Sequence, residues 1–354
     1  MLVYISIILI SILFSLFESH IDIIEYKNKI YKTRNISFIV LFIIFLLVGV
    51  LRSDTLGVDL SSYRTYYFDF YKNETFLQVI TPKFDIGYIL LNWVIAKICD
   101  SFQLFCALSY ALSYSLISYV IYKKSNNVGM SYLIFISIGL MFFDFNILRQ
   151  AIACSICLLS LEALEKRQLK KFLVIVFIGC LFHSTALIFI LLYPLADEKM
   201  LSVKIRTRFL ILLAVAVLSK VLMPKLVGLY QVNDYSSSII TGQGYNLLVY
   251  YIVFFIYIKF CLGFSEATEE SYRIFESANI TVYFQVMALS FSLFTRLNYY
   301  STAILIILLP NIFDLIDNKW KNILQIPLYM FLFGFFVLQI SAGYAPVPYL
   351  SIFS

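Results

Sequence analysis

Apolar runs long enough to cross a lipid bilayer recur along almost the whole chain, and they restrict its fold more than any other feature. A membrane-spanning helix needs about 20 mainly apolar residues, somewhat fewer where flanking polar side chains reach the interface. Only 14% of the 354 residues are charged and 61% are hydrophobic, which leaves too little polar surface for a water-soluble protein. Ten runs approach the required length: 2–17, 36–51, 102–122, 128–143, 147–164, 208–223, 246–264, 278–295, 299–316 and 322–341.

These runs predict an all-α polytopic membrane protein that forms a single domain over residues 1–354, because no repeat or low-complexity linker divides the chain. The first run is neither preceded by basic residues nor followed by a cleavage site of small residues. We therefore expect it to be retained as a helix and not removed as a signal peptide.

Basic residues near the helix ends predict the orientation, since Lys and Arg concentrate in cytoplasmic loops. They cluster in five segments: 27–34, 123–124, 166–171, 199–208 and 319–321. If all five are cytoplasmic, segment 172–196 lies between two cytoplasmic loops, and we expect a re-entrant pair of short arms bent at His183-Ser184. By the same reasoning, 84–99 is expected to be a dipping or interfacial helix. Together with the runs, this gives about 10 to 12 transmembrane helices plus re-entrant or interfacial ones, and an outer face that contains loop 52–83.

Three arginines stand at helix ends on the predicted outer face, where the positive-inside rule disfavours them. They are Arg52, Arg149, which Gln150 follows, and Arg296. Each one alone is explained by a side chain that reaches lipid headgroups, whereas three together favour an internal binding site. Arg149 also faces the positive end of a helix dipole, a conflict that a bound anion relieves. Helix N-terminal amides and guanidinium groups bind phosphate well, so we expect a phosphate or diphosphate subsite near Arg149.

The outer segments also contain carboxylates, tyrosines and a histidine. Loop 52–83 includes Asp59 and Tyr63, in a stretch whose aromatic residues have helical spacing. This stretch is typical of an interfacial amphipathic helix, but aromatic rings that stack on sugars, with carboxylates that accept bonds from hydroxyls, are equally compatible with glycan binding. Asp85 follows at the start of an apolar helix, and His183 occupies the predicted bend.

Metal-ligating residues are scarce. The chain has two histidines, and its six cysteines lie in or beside apolar stretches. Cys154 and Cys157 form a C-x-x-C pair within an apolar helix, without a second ligand pair nearby. We therefore expect no metal site and no cofactor. The net charge of +6 is attributed to the cytoplasmic loops, so no nucleic acid partner is expected.

Taken together, these segments resemble the EpsG-like branch of the Wzy polysaccharide polymerases, which make O-antigen, capsule or exopolysaccharide. The resemblance spans nearly the whole chain, although members of the family often have Glu in place of Asp85. The motifs that carry it are Arg52…Gly57-x-Asp59…Tyr63, Phe84-Asp85-x-Gly87-Tyr88, Arg149-Gln150-x-Ile152-Ala153, Phe182-His183-Ser184-x-Ala186, Arg296-Leu297-x-x-Tyr300 and Pro346-Val347-Pro348-Tyr349.

The resemblance implies a GT-C-like fold and an inverting, metal-independent glycosyltransferase at the outer face of a bacterial cytoplasmic (inner) membrane. Such an enzyme transfers a growing glycan from undecaprenyl diphosphate onto a lipid-linked repeat unit. The expected partners are undecaprenyl-diphosphate-linked oligosaccharide and membrane lipid, with a flippase and a chain-length regulator as further candidates.

Each candidate site residue receives an expected role in that reaction. We assign Arg149 and Arg296 to the diphosphate, with Arg52 third and Gln150 beside them. The candidate catalytic bases are Asp85, His183 and Asp59, in that order, although a neutral His183 would equally orient the diphosphate or cap the re-entrant turn. Weaker candidates for contacts with sugar or lipid are Tyr63, Tyr300 and Tyr349.

Three other functions fit part of the pattern. A polysaccharide ligase uses the same chemistry with a different acceptor, and the sequence separates it poorly from a polymerase. A lipid-linked glycan flippase or other transporter also has intramembrane arginines, but its polar residues are expected at the midplane between repeated halves. A non-catalytic membrane scaffold accounts for the helices but not for the arginines.

Overall fold

The computed structural model describes residues 1–21, 23–26, 29–57, 59–80, 84–229, 244–341, 343 and 345–354, and most of them are helical. The first part of the chain contains α1 (Leu2–His20), α2 (Thr33–Val50), α3 (Leu60–Tyr66), α4 (Phe76–Val79), α5 (Ile86–Ile98), α6 (Phe102–Lys124), α7 (Val128–Ser137), α8 (Leu140–Asn146), α9 (Leu148–Leu158) and α10 (Leu161–Glu165). The second part contains α11 (Leu169–Cys180), α12 (Leu192–Leu195), α13 (Glu198–Leu201), α14 (Ile205–Leu229), α15 (Tyr245–Leu262), α16 (Glu269–Ala278), α17 (Ile280–Ala288), α18 (Asn298–Thr302), α19 (Leu305–Asp314) and α20 (Asn318–Ser341).

Other regular elements connect these helices. A π-helical turn, Tyr67–Tyr71, continues α3, and 3₁₀ helices occupy Ser184–Leu191 and Ser292–Leu297. Strands β1 (Ile23–Tyr26) and β2 (Lys29–Lys32) pair as an antiparallel hairpin between α1 and α2.

Helix length and apolarity confirm a predominantly helical polytopic membrane protein. Among the described residues, five helices are long and apolar enough to cross a membrane, and seven if two bent pairs each count as one span. The five are α1, α2, α6, α15 and α20, and the bent pairs are α7 with α8 and Ser292–Thr302 with α19. The larger number of about 10 to 12 transmembrane helices stays a prediction.

Several of the predicted apolar runs are interrupted and do not form one continuous helix. Run 128–143 bends by 52° between α7 and α8, where Gly139 adopts a φ of +85° that suits glycine. Run 147–164 is divided into α9 and α10. Run 278–295 stops at the end of α17, and extended backbone at Phe291 separates it from the 3₁₀ helix Ser292–Leu297.

The core is formed by α7, α9 and α19, whose residues are almost all buried. Helix α7 contacts α1, α2 and α19, while α9 contacts α6 and α11. Two capping interactions fix the start of α7: Asn127 accepts the Met130 N–H at 2.8 Å, and the Glu18 carboxylate accepts the N–H groups of Val128 and Gly129 at 2.8 and 2.9 Å. The capped end of α7 therefore ties α1 to the core.

Residues in or beside the five basic segments are linked by hydrogen bonds and ion pairs, so these segments lie at the same end of the helix bundle. The contacts are Arg34 with the Ser125 carbonyl at 2.9 Å, Lys124 with Glu165, Arg167 with Asp197 at 3.1 Å, Arg273 with Glu198 at 3.2 Å, Arg208 with Glu276, Asn126 with Asp314 at 2.9 Å and Lys321 with Asp314 at 4.0 Å. We call this end the basic end.

Candidate functional site

The segment just before and after His183 and the start of α5 are joined by close backbone contacts. The Gly87 N–H donates to the Leu181 carbonyl at 2.7 Å, and a Cβ atom on Gly87 would lie 2.8 Å from that oxygen. The Asp85 carboxylate accepts the backbone N–H of Ser184. The chain turns at His183, between α11 and the 3₁₀ helix Ser184–Leu191, and this turn therefore lies against α5.

A second close contact attaches the loop after α2 to the turn between α8 and α9. A Cβ atom on Gly57 would lie 2.6 Å from the Phe145 carbonyl oxygen. The absence of a side chain at Gly57 thus lets this loop approach the turn. Further along the chain, Tyr63 lies next to Arg149 at the start of α9, and Asp59 lies beside Arg296.

Arg149 lies in a cage of aromatic rings. Its guanidinium carbon is 4.6 Å from the ring centre of Phe84, 5.7 Å from that of Tyr88 and 5.9 Å from that of Tyr63. Its Nε donates to the Tyr63 hydroxyl over a long distance of 3.5 Å. Within the described ranges, no carboxylate oxygen lies within 4.0 Å of this guanidinium. Rings hold the group in place without neutralising it, so its charge is available to an anion.

Arg296 lies in the 3₁₀ helix Ser292–Leu297, and its surroundings differ from those of Arg149. Its carbonyl oxygen accepts a bond from the Gln150 side chain at 3.0 Å, and Gln150 itself is buried. Its Nη2 lies 3.7 Å from Oδ2 of Asp59, and the two side chains are 39% and 32% exposed. Gln150 therefore positions the Arg296 backbone, while Asp59 partly balances the Arg296 charge.

Arg296 and Asp59 line an open cavity of about 330 Å³. Its remaining walls are mainly apolar and come from α8, Ile147, the 3₁₀ helix before α18, α18 and Gly343. The cavity is lined by Asp59, Phe142, Phe143, Asn146, Ile147, Ser292, Leu293, Thr295, Arg296, Tyr299 and Gly343. The cavity thus combines a charged rim with an apolar wall, which suits a ligand that has an anionic group and a hydrocarbon chain.

His183 caps the 3₁₀ helix that follows it. Its Nδ1 accepts the Thr185 N–H at 3.2 Å and lies 3.0 Å from the Thr185 hydroxyl, which in turn lies 3.1 Å from the Tyr300 hydroxyl. Burial, followed by the charges of Arg149 and Arg296, lowers the pKa of His183 to about 3. The imidazole is therefore neutral at physiological pH and carries its proton on Nε2, because Nδ1 is an acceptor.

Asp85 is half-buried, and burial raises the pKa of its carboxyl group. The bond from the Ser184 N–H and the charge of Arg149 act in the opposite direction. Asp85 does not line the cavity that Asp59 and Arg296 share. Its observed contact is with the turn at His183, so its position indicates a structural role, and its expected role as a base stays a prediction.

Arg52 and Tyr349 lie together, away from the cavity. Arg52 is fully buried, donates to the Leu56 carbonyl at 3.0 Å and has its guanidinium carbon 4.8 Å from the centre of the Phe145 ring. The Tyr349 hydroxyl donates to the Val48 carbonyl at 2.8 Å. These contacts attach the C-terminal segment to the end of α2, and the expected substrate contacts of both residues stay predictions. Tyr300 is also buried, beneath Thr185 and His183.

The EpsG family model matches residues 34–351, which include every element described above for the site. The chain belongs to the EpsG family. This family comprises Wzy-like polysaccharide polymerases, so membership indicates a membrane-bound polymerase with glycosyltransferase-like function in polysaccharide biosynthesis. No curated protein and no solved structure matches the chain significantly.

The motifs of this EpsG-family protein contain site residues that the sequence analysis passed over. Phe84 and Tyr88 flank Asp85 in one motif, yet the structure makes them part of the ring cage around Arg149. Phe143 and Tyr299 form the cavity wall as a stacked pair with ring centres 3.9 Å apart. Only the proximity of the aromatic residues to charged motif positions would have indicated these roles.

In the part of the chain that the structure describes, no three His, Cys, Asp or Glu side chains form a group that could hold a metal ion.

Proposed function

We propose that this EpsG-family chain is a polysaccharide polymerase that transfers a growing glycan from undecaprenyl diphosphate onto a lipid-linked repeat unit. The proposed reaction inverts the anomeric configuration, needs no metal ion and occurs at the outer face of a bacterial cytoplasmic membrane. One observation carries the proposal: Arg149 and Arg296, on separate elements, both lie close enough to His183 for their charges to act on it, and Arg296 lines an open cavity that has the Asp59 carboxylate at its rim and an apolar wall.

The arginines match the charge that develops in the reaction. As the bond between the anomeric carbon and the diphosphate oxygen breaks, its electron pair moves to the diphosphate, and the sugar gains oxocarbenium character. Guanidinium groups that are already oriented stabilise this negative charge most in the transition state. The ring cage orients the Arg149 guanidinium, which therefore needs little reorganisation, and the Gln150 bond holds the backbone of Arg296.

The apolar wall supports a lipid-linked substrate. Phe142, Phe143 and Ile147 line the cavity on the same side as the charged rim. A diphosphate at Arg296 would place the first part of the prenyl chain against these side chains. Burial of apolar carbon there contributes binding free energy that a water-soluble sugar nucleotide would not provide.

The protonation state of His183 makes it a hydrogen-bond donor in the proposed reaction. Its Nδ1 lone pair is engaged by Thr185, so the neutral ring has only the Nε2 proton to offer. We assign it to a hydrogen bond with a diphosphate or sugar oxygen, not to proton abstraction. The acceptor hydroxyl then depends on a carboxylate as its base, and Asp85 and Asp59 are the candidates that the site contains.

The proposal is tested with purified protein in liposomes. Lipid-linked repeat units are extracted from source cells that lack this chain and are added without metal and with a chelator, and products are resolved by length. We expect a ladder of products that differ by one repeat unit, and its loss in Arg149→Ala at unchanged protein abundance. Transfer of a single glycan to a non-prenyl acceptor would indicate a ligase, and the absence of any new glycosidic bond would refute the proposal.

A further inference from the structure

The ion pair between Asp59 and Arg296 is weak by its geometry. The 3.7 Å between Oδ2 and Nη2 is longer than a hydrogen bond, and each side chain is about a third exposed. Exposed ion pairs of this kind contribute little to stability. Asp59 precedes α3 without capping it through its side chain. Among the described residues, no other hydrogen bond or ion pair of the Asp59 side chain holds it in this position.

The two arginines of the site consequently differ in their readiness for an anion. Arg149 is surrounded by rings and, in the described residues, has no carboxylate within ion-pair distance. Arg296 shares its charge with Asp59, and both face the cavity. A diphosphate that enters the cavity meets Arg296, whose charge is already shared with Asp59. It carries more negative charge than a carboxylate and can form two parallel bonds with a guanidinium group.

We propose that Asp59 occupies Arg296 only until a lipid-linked diphosphate displaces it, and that the released carboxylate is the base for the acceptor hydroxyl. This inference rests on the proposed function and assigns the base within it. The Asp59 base then becomes available only when the donor is bound, because the donor diphosphate pairs with Arg296 and thereby releases Asp59. Asp85 then keeps the structural contact with Ser184 that the geometry shows.

The proposed step conserves atoms and charge. The acceptor oxygen forms a bond with the anomeric carbon of the donor, and the bond from that carbon to the diphosphate oxygen breaks. The electron pair of the broken bond goes to the diphosphate, which Arg149 and Arg296 hold. The proton of the acceptor hydroxyl goes to the Asp59 carboxylate and is later lost to water, so the products are a longer glycan and undecaprenyl diphosphate.

The first test measures binding of undecaprenyl diphosphate to the full-length protein in detergent by calorimetry. Asp59→Asn removes the carboxylate that competes with the ligand for Arg296. We therefore expect binding about 2- to 5-fold tighter than in the wild type, which corresponds to the free energy of an exposed ion pair. Asp69→Asn is the matched control, because Asp69 is an exposed carboxylate just beyond α3, and it should leave affinity unchanged. Weaker binding by Asp59→Asn would overturn the inference.

A double-mutant cycle separates displacement from a general change of charge. Arg296→Gln should weaken binding, and adding Asp59→Asn to it should no longer tighten binding, because there is no arginine to release. If Asp59→Asn improves affinity equally in both backgrounds, the gain is a bulk charge effect and the exchange is wrong.

The second test measures polymerisation by the same variants. Loss of a general base costs about 100-fold or more in rate, so Asp59→Asn should bind the donor more tightly and yet polymerise at least that much more slowly. Asp59→Glu, which keeps a carboxylate, should recover part of the rate. If Asp59→Asn does not accumulate, Asp59→Ser serves in both tests with the same expectations. Retained turnover in variants that lack the carboxylate would overturn this inference alone, whereas failure of the wild type to polymerise would overturn the proposed function.

Discussion

Replacing Arg149 with lysine tests whether its planar guanidinium group, and not only its charge, is needed. Lysine keeps one positive charge but loses the Nε–H donor to Tyr63 and the flat group that faces the Phe84 ring at 4.6 Å. It also loses one of the two parallel bonds that arginine can form with a diphosphate. A hydrogen bond to a charged group contributes about 1.5–3 kcal/mol.

If that bond is made in the transition state, Arg149→Lys should lower kcat/KM by about 10- to 150-fold. Arg149→Ala, which also removes the charge, should be only somewhat worse. The assay is initial polymerisation rate against concentration of the lipid-linked repeat unit, at equal amounts of folded protein. Arg64→Lys is the matched control, because Arg64 is 49% exposed and pairs with Asp54 at 3.4 Å, and it should change the rate less than about 2-fold. Wild-type kcat/KM in Arg149→Lys would show that Arg149 only anchors the protein at lipid headgroups.

Three further predictions concern the carboxylate at the turn, the histidine and the orientation. Asp85→Asn should retain measurable polymerisation, because its amide oxygen still accepts the Ser184 N–H; complete loss of turnover with intact donor binding would make Asp85 the base. Because burial lowers the pKa of His183 to about 3, the unfolded chain binds a proton there below about pH 6.5 while the folded protein does not, so stability falls as pH falls through this range. Between pH 7 and about pH 4.5, the melting temperature of His183→Gln should fall less than that of the wild type. An equal fall in both proteins would contradict the lowered pKa. In a variant without native cysteines, Thr55→Cys should react with an impermeant thiol reagent in intact cells and Lys170→Cys only after permeabilisation, and the reverse pattern would invert the topology.

The sequence was sufficient to predict the fold class, because the length of an apolar run is visible within a single segment of the chain. Run 102–122, for example, forms α6 with nearly the same bounds. An apolar segment in lipid forms a helix because a helix satisfies its backbone polar groups within the segment itself. Interruptions within runs were harder to predict. The break at Phe291 depends on how the following 3₁₀ helix packs in the site, and no proline or charge at that position indicates it.

The sequence predicted which residues form the candidate site better than it predicted the role of each residue. The expected arginines on α9 and before α18 do lie together with Asp59 and His183, because motif residues on separate segments meet at one end of the bundle. The sequence could not separate Arg52 from them, since a buried arginine and a cavity-facing arginine both stand at helix ends. Nor could it show that the Nδ1 atom of His183 is already engaged, because that depends on the backbone of the turn.

The most direct test of the account is the stoichiometry of the reaction in liposomes that contain only this protein and its lipid-linked repeat unit. The amount of undecaprenyl diphosphate released and the number of new glycosidic bonds are measured together over time. The account predicts one undecaprenyl diphosphate for each repeat unit added, and neither product with Arg149→Ala. Movement of the repeat unit across the bilayer without release of undecaprenyl diphosphate would contradict a polymerase and would favour a transporter instead.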